Sequence, residues 1–369
     1  MKNFYYLCLA SALLLYACIQ DGFVGDMMSL LKINENESRN LQLIEKLQCA
    51  LKKYPFIYND ITIREDSRPA GFLFYPFSLT IAVRYCEHEL VVCGEGFTQD
   101  EAFAKVISEL IERTCMLNET RKNPVLGTTS NGWAAHIGYS CARNAAIFEI
   151  IERDAVLAQW YSQTPFLQIH FDTLPQNIQG WASNELSRSE FPLLKVLITT
   201  EGLGPSVTVL LMNNHGYGVC GHSTKLDLSA AIENAVGEAC RTAQMSLRNL
   251  YFEETEKLNL GVSGKTKPVA HGLYYAYQKP FPAWMVGKTV LFSEASDVWC
   301  KNLDRVFQLF GWQILMYEVG ELFVAKASHP SSLELKWGPT HESSLSNLTA
   351  KFRLKLKNNK LNLEPHPIA

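Results

Sequence analysis

The sequence carries no excess of basic charge. Its 34 Lys and Arg face 37 Asp and Glu, a net charge of −3. That excludes the strongly basic domain typical of nucleic-acid binders. The ten cysteines form no Cys-x-x-Cys pair and no His/Cys cluster at zinc spacing, so a zinc-built fold is excluded. Several lie inside apolar helical patterns, where a free thiol acts as a small hydrophobe, and this favours a reducing compartment. Long linkers rich in Pro, Gly and Ser are missing, as are low-complexity tracts. With 369 residues, 47% of them hydrophobic, the chain can bury one large core or two closely packed ones. No apolar run is long enough for a comfortable transmembrane helix. The stretch at residues 4–16, followed by Ala17 and Cys18, has the look of a secretory or lipoprotein signal. Its positive region is thin and Tyr16 suits cleavage poorly, so a packed first element is the alternative. A P-loop is absent too. Gly264-Lys265-Thr266 resembles its end, but Asn259 stands where glycine is needed and Pro268 interrupts the helix that should follow. Without a Gly-x-Ser-x-Gly elbow, no hydrolase triad can be assigned.

What is present is an irregular alternation of strands and helices. Residues 41–54 have helical spacing, and residues 71–93 contain strand-like runs. The Gly94-Glu95-Gly96 loop then leads into a helix, with Thr98 and Glu101 as a capping box. A second long helix is expected near residues 140–161, strands near 193–199 and 207–211, and a third helix near 227–247. Residues 352–357 alternate like a half-solvated strand. Because βα units do not repeat, the expectation is an α/β or α+β domain of layered sheets and packed helices.

The chemistry is carried by a repeated pentapeptide. Residues 109–113 read Glu-Leu-Ile-Glu-Arg and residues 149–153 read Glu-Ile-Ile-Glu-Arg. Each glutamate pair is spaced i, i+3 and shares one helix face. Glu109 and Glu112 also fit the polar stripe of an ordinary amphipathic helix. Glu149 and Glu152 do not, because their helix is apolar on nearly every side. Buried carboxylates need cations. Arg113, Arg153 or a metal ion would serve, and an oxygen-only ligand set suits Mg2+ over zinc. Glu238 and Arg241 on the third helix, also i, i+3, can be read as a simple surface pair.

These segments resemble the YcaO family. Residues 94–113 (GEGFTQDEAFAKVISELIER) resemble its first glycine loop and Glu-x-x-Glu-Arg helix. Residues 130–155 (SNGWAAHIGYSCARNAAIFEIIERDA) resemble its second block, and residues 226–240 (LDLSAAIENAVGEAC) its third helix. The likeness starts near residue 21 and runs to the end, which implies a YcaO-like catalytic domain over residues 21–369 after the apolar segment 1–20. The resemblance further implies a non-P-loop site for ATP and Mg2+. Glu109, Glu112, Glu149 and Glu152 would be the metal ligands, and Arg84, Arg113, Arg153 and Glu238 would contact the nucleotide. The end of the sequence, Pro365-His366-Pro367-Ile368-Ala369 within the tail 361–369, resembles the Pro-x-Pro-x-Pro tail of the family's cyclodehydratases. That places Pro365, Pro367 and Ala369 beside the catalytic centre.

By this resemblance the activity is an ATP-dependent cyclodehydratase. It would form thiazoline or oxazoline rings from Cys, Ser or Thr of a ribosomal precursor peptide. The expected partners are that peptide, a ThiF-like leader-binding protein, a flavin dehydrogenase and a second copy of the chain. Neither nucleic acid nor membrane is expected, and a cytoplasmic location follows from the use of ATP. Three positions depart from the family pattern: Lys105 for a frequent Ser, Glu95 within the usual Gly-Lys-Gly, and Arg241 for a frequent Gln. The alternatives are a YcaO enzyme that forms thioamides and a non-catalytic YcaO scaffold subunit.

Overall fold

The computed structural model describes residues 35–64, 74–126, 130–246, 274–276 and 278–333, together with residues 362, 364, 366 and 367. The apolar run 4–16, Gly264-Lys265-Thr266, the stretch 352–357, Pro365 and Ala369 lie outside the described residues. The chain divides into units 1–52 and 53–369. In the first, helix α1 (Glu35–Leu51) carries Leu43, Leu47 and Leu51 one turn apart, the spacing that marks a helix.

Among the described residues the second unit contains three sheets. The first is an antiparallel meander of β1 (Asn59–Arg64), β2 (Phe77–Tyr85) and β3 (His88–Gly96). A second sheet joins β4 (Trp133–His136) to the hairpin of β10 (Gln313–Val319) and β11 (Leu322–Ser328), in the order β10-β11-β4. The third holds β5 (Phe166–Ile169), β6 (Leu193–Ile198), β7 (Val207–Met212), β8 (Gly218–Ser223) and β9 (Val286–Val290), in the order β8-β7-β6-β5-β9. Among the described strands only β5 and β9 pair in parallel. This is the layered α/β arrangement expected from the missing βα repeat.

Helices tie the sheets together. Helix α2 (Gln99–Lys122) packs on β2, β3 and β4, and α3 (Tyr139–Ser162) packs on β4, β8 and β11. After α4 (Gln176–Asn184), α5 (Leu228–Ser246) packs on β7 and β8, and α6 (Phe292–Phe307) follows later in the chain. The capping box of α2 is present: Glu101 N–H donates to Thr98 Oγ1 at 3.2 Å, and Thr98 N–H donates to Glu101 Oε2 at 3.4 Å. Helix α5 is capped by Asp227, whose Oδ1 accepts from Ala230 N–H at 2.9 Å. The apolar circumference of α3 is explained by its position. Ala142, Ala146, Ile147, Ile150, Ile151 and everything from Asp154 to Ser162 are buried.

One local expectation is corrected. Gly94-Glu95-Gly96 is the end of β3, paired opposite Leu79, Ser78 and Phe77, not a loop. Glycine is needed there because α2 lies so close that a Cβ on Gly94 would sit 2.0 Å from the Ala102 carbonyl oxygen. The same device recurs under α5. A Cβ on Gly221 of β8 would lie 2.2 Å from the Ala235 carbonyl oxygen and 2.4 Å from Ala239 N. Both helices that rest on these glycines carry candidate site glutamates. Gly221→Ala should therefore lower stability by at least about 2 kcal/mol through overpacking. A thermal melt unchanged from wild type would show that α5 does not rest on this contact.

Candidate active site: carboxylates on three helices

Glu109, Glu112 and Arg113 project from α2, Glu149, Glu152 and Arg153 from α3, and Glu238 and Arg241 from α5. All eight are half-buried. The i, i+4 arginines neutralise part of the charge. Arg113 donates to Glu109 Oε1 from Nε at 3.0 Å and Nη2 at 2.7 Å, and Arg153 Nη2 lies 2.6 Å from Glu149 Oε1. Backbone amides supply more. Glu109 Oε2 accepts from Cys93 N–H at 3.1 Å, and Glu149 accepts from Gly132 N–H in the Ser130-Asn131-Gly132 turn.

The remaining carboxylates are under strain. Desolvation holds the Glu112 carboxyl well above the usual range, and the charges of Glu149 and Glu109 raise it further. Desolvation likewise lifts Glu152, with Glu238 its strongest like-charge neighbour. Glu149 and Glu238 are also raised by burial, although arginines oppose the shift. The like charges thus couple α2 to α3 and α3 to α5.

The walls of the site come from residues without a sequence motif. Thr224 N–H donates to Glu152 Oε2 at 3.2 Å, and His222 N–H donates to Glu238 Oε2 at 2.7 Å. Lys326 on β11 lowers the Glu149 carboxyl and donates to the Asn131 carbonyl, while Lys225 lowers Glu152 and Glu238. No spacing rule points to these lysines, because they are brought in by sheet pairing and a short loop.

Two readings of the sequence change. Arg84 is not brought to the carboxylates. It sits exposed near the β2–β3 turn with Nη1 3.3 Å from Asp60 Oδ2. It lies four residues along β2 from Thr80, the partner of Cys93 that binds Glu109, which is about 13 Å of strand. Nor do Glu238 and Arg241 form a simple surface pair. Arg241 Nε is 3.7 Å from Glu95 Oε2, and Glu95 is buried. Burial lowers the Lys105 ammonium, the Glu95 charge opposes that shift, and the ammonium is 4.8 Å from the Tyr75 ring. The three departures Glu95, Lys105 and Arg241 are thus one interacting group beside the carboxylates. Of the tail residues, Pro367 is buried with its carbonyl 3.0 Å from Cys220 Sγ.

The donor set suits Mg2+. Every anionic ligand here is a carboxylate oxygen, and arginines stand between them as phosphate ligands would require. Among the described residues no three His, Cys, Asp or Glu side chains converge on a preformed metal cage. Mg2+ bound together with phosphates needs only one or two carboxylates from the protein. The eight described cysteines are free, and no described helix is long and apolar enough to cross a membrane.

Residues 115–284, just under half of the chain, match the family described as YcaO cyclodehydratase, ATP- and Mg2+-binding. The fold is similar to YcaO from Methanopyrus kandleri, solved with AMPPCP and Mg2+, at 13% identity and a TM-score of 0.53 over 83% of this chain and 94% of that one. It is also similar to a heterocyclase solved with substrate and cofactor, at 14% identity and a TM-score of 0.53 over 89% of this chain. The chain spans 57% of that heterocyclase's length. No curated protein matches the sequence. Residues 115–284 thus match the YcaO family model, and the fold that carries the three glutamate-bearing helices is similar to that of solved YcaO structures.

Proposed function

We propose that the chain is an ATP- and Mg2+-dependent cyclodehydratase acting on backbone amides of a precursor peptide. The observation that carries this reading is the set of strained glutamates on α2, α3 and α5, interleaved with Arg113, Arg153 and Arg241. It is supported by the family match. Glu112 with Glu149, and Glu152 with Glu238, are the best-placed Mg2+ ligands. Their mutual repulsion is relieved only by added positive charge or by protons. Glu109 is the weaker candidate, since Arg113 and the Cys93 amide already occupy both its oxygens. Arg113, Arg153 and Arg241 are the proposed phosphate contacts.

ATP supplies the phosphoryl group that makes an amide oxygen a competent leaving group, and Mg2+ neutralises phosphate charge. The contribution of the protein is positioning and electrostatic preorganisation. A Cys, Ser or Thr side chain of the substrate attacks the preceding carbonyl, and the former amide oxygen departs with phosphate. The ring formed is a thiazoline or an oxazoline. Pro365, Pro367 and Ala369 are the proposed tail contacts near this centre. A ThiF-like protein is the proposed deliverer of the substrate, with a flavin dehydrogenase acting afterwards and a homodimer in the cytoplasm as the working unit.

An isotope label tests this chemistry. A Cys-containing peptide with 18O in the attacked amide should lose one water per ring and transfer the label to inorganic phosphate. Label retained in the peptide product, or phosphate oxygen drawn from bulk water, would contradict it.

A further inference from the structure

Among the described residues strand β8 lies at the edge of its sheet, bonded to β7 along one side. Unpaired edge amides normally demand a partner. Here two alternate amides find carboxylates of the site: His222 N–H meets Glu238 Oε2 at 2.7 Å, and Thr224 N–H, just beyond the strand, meets Glu152 Oε2 at 3.2 Å. The position of β8 therefore fixes two of the proposed ligands.

The side chains of Cys220 and His222 share one face of the strand. Both are buried, and both hold Pro367. Cys220 Sγ is 3.0 Å from the Pro367 carbonyl oxygen, and the His222 ring also hydrogen-bonds that carbonyl. Proline has no N–H, so the ring must donate. Thr208 Oγ1 lies 3.0 Å from His222 Nδ1 and fixes the ring from the other side. Burial pushes the imidazole down to about 4, so the ring is neutral at physiological pH, with one donor and one acceptor.

The segment that bears Pro367 is anchored at further points. Asn362 N–H donates to the Tyr161 carbonyl at 3.0 Å, and Trp160 Nε1 donates to the Glu364 carbonyl at 3.1 Å. The Glu364 carboxylate pairs with Lys279. Asn362 and His366 are buried. Trp160 and Tyr161 belong to α3, the helix that carries Glu149 and Glu152.

We propose that His222 is a positioning residue whose ring grips Pro367, seated together with Asn362, Glu364 and His366, while its backbone N–H holds Glu238. Docking of the segment thereby sets the carboxylate geometry of the nucleotide site. The inference rests on the proposed function for its consequence, although the coupling itself does not.

Hydrogen exchange and calorimetry on the full chain test the two parts separately. Deletion of residues 364–369 and His222→Leu should each accelerate exchange of the amides in residues 218–226 by about tenfold, and weaken binding of Mg2+ with AMPPCP by about tenfold, the lower end for loss of an outer-shell partner. The two changes combined should cost no more than either alone. His222→Gln, which keeps a donor and an acceptor, should restore both within about threefold of wild type. Unchanged exchange in residues 218–226 after the deletion would overturn the coupling even if His222→Leu fails to fold. Multiplying effects in the combined variant would do the same. Wild-type protein that binds no nucleotide would instead sink the functional reading, and the exchange comparison would still decide the coupling.

Discussion

Glu152→Gln should abolish Mg2+-dependent ATP binding and at the same time raise the melting temperature of the free protein. The two effects have one cause. Burial and the nearby charge of Glu238 hold the Glu152 carboxyl well above its usual range, so its charge opposes folding at neutral pH. Glutamine is the same size, can still accept from Thr224 N–H, and removes the repulsion. A gain of about 1 kcal/mol corresponds to roughly 1–2 °C in a chain of this size. The loss of affinity should reach at least about a hundredfold, or about 2.7 kcal/mol, because a neutral amide is a poor Mg2+ ligand. A purely structural Glu152 would behave in the opposite way, with lower stability and nucleotide binding intact. Differential scanning fluorimetry and calorimetry on one preparation distinguish the two.

The free protein should also lose stability as pH rises from 5 to 7.5, and Mg2+ with ATP should restore more of it at pH 7.5 than at pH 5. The sign follows from linkage. Glu112, Glu149, Glu152 and Glu238 have folded-state values raised above those of the unfolded chain. The folded protein therefore binds protons more tightly. The stability these groups contribute is fully present below about pH 4 and is lost as pH climbs through the raised values. Asp154 adds to the trend. Burial raises it from 3.8 to about 6, although the Leu333 and Leu203 amides each donate to it at 2.7 Å. It accounts for about 1 kcal/mol of the loss across that window. Metal and nucleotide replace the protons as the source of positive charge, so their stabilising effect grows as the protons leave. An equal increment in melting temperature at both pH values would contradict this account.

The sequence made the helices and their glutamates legible because the signals are local. The α2 capping box needs only Thr98 and Glu101, and burial of α3 follows from its apolar circumference. The repeated pentapeptide places two carboxylates on one face of each helix without reference to the rest of the chain. What was not legible depends on contacts distant in sequence. Arg84 looked like a phosphate contact until the β2–β3 register put it near the turn. Gly94 and Gly96 suggested a loop, whereas their role is to admit α2 against β3. Lys326 is nearly two hundred residues from Asn131, whose carbonyl it meets, and only the pairing of β11 with β4 brings it close. His222 and Thr224 act through backbone amides, which no side-chain motif can reveal. The group of Glu95, Lys105 and Arg241 shows the same limit, since three departures scattered along the chain are neighbours in space.

The central claim is that the carboxylates of α2, α3 and α5 form a Mg2+-dependent nucleotide site. Calorimetric titration of ATP into the full chain, with and without Mg2+, tests it most directly. The account predicts saturable binding that requires Mg2+ and disappears in Glu149→Gln and Glu152→Gln proteins that remain folded. Binding that is independent of Mg2+, or no binding to well-folded wild-type protein, would contradict it.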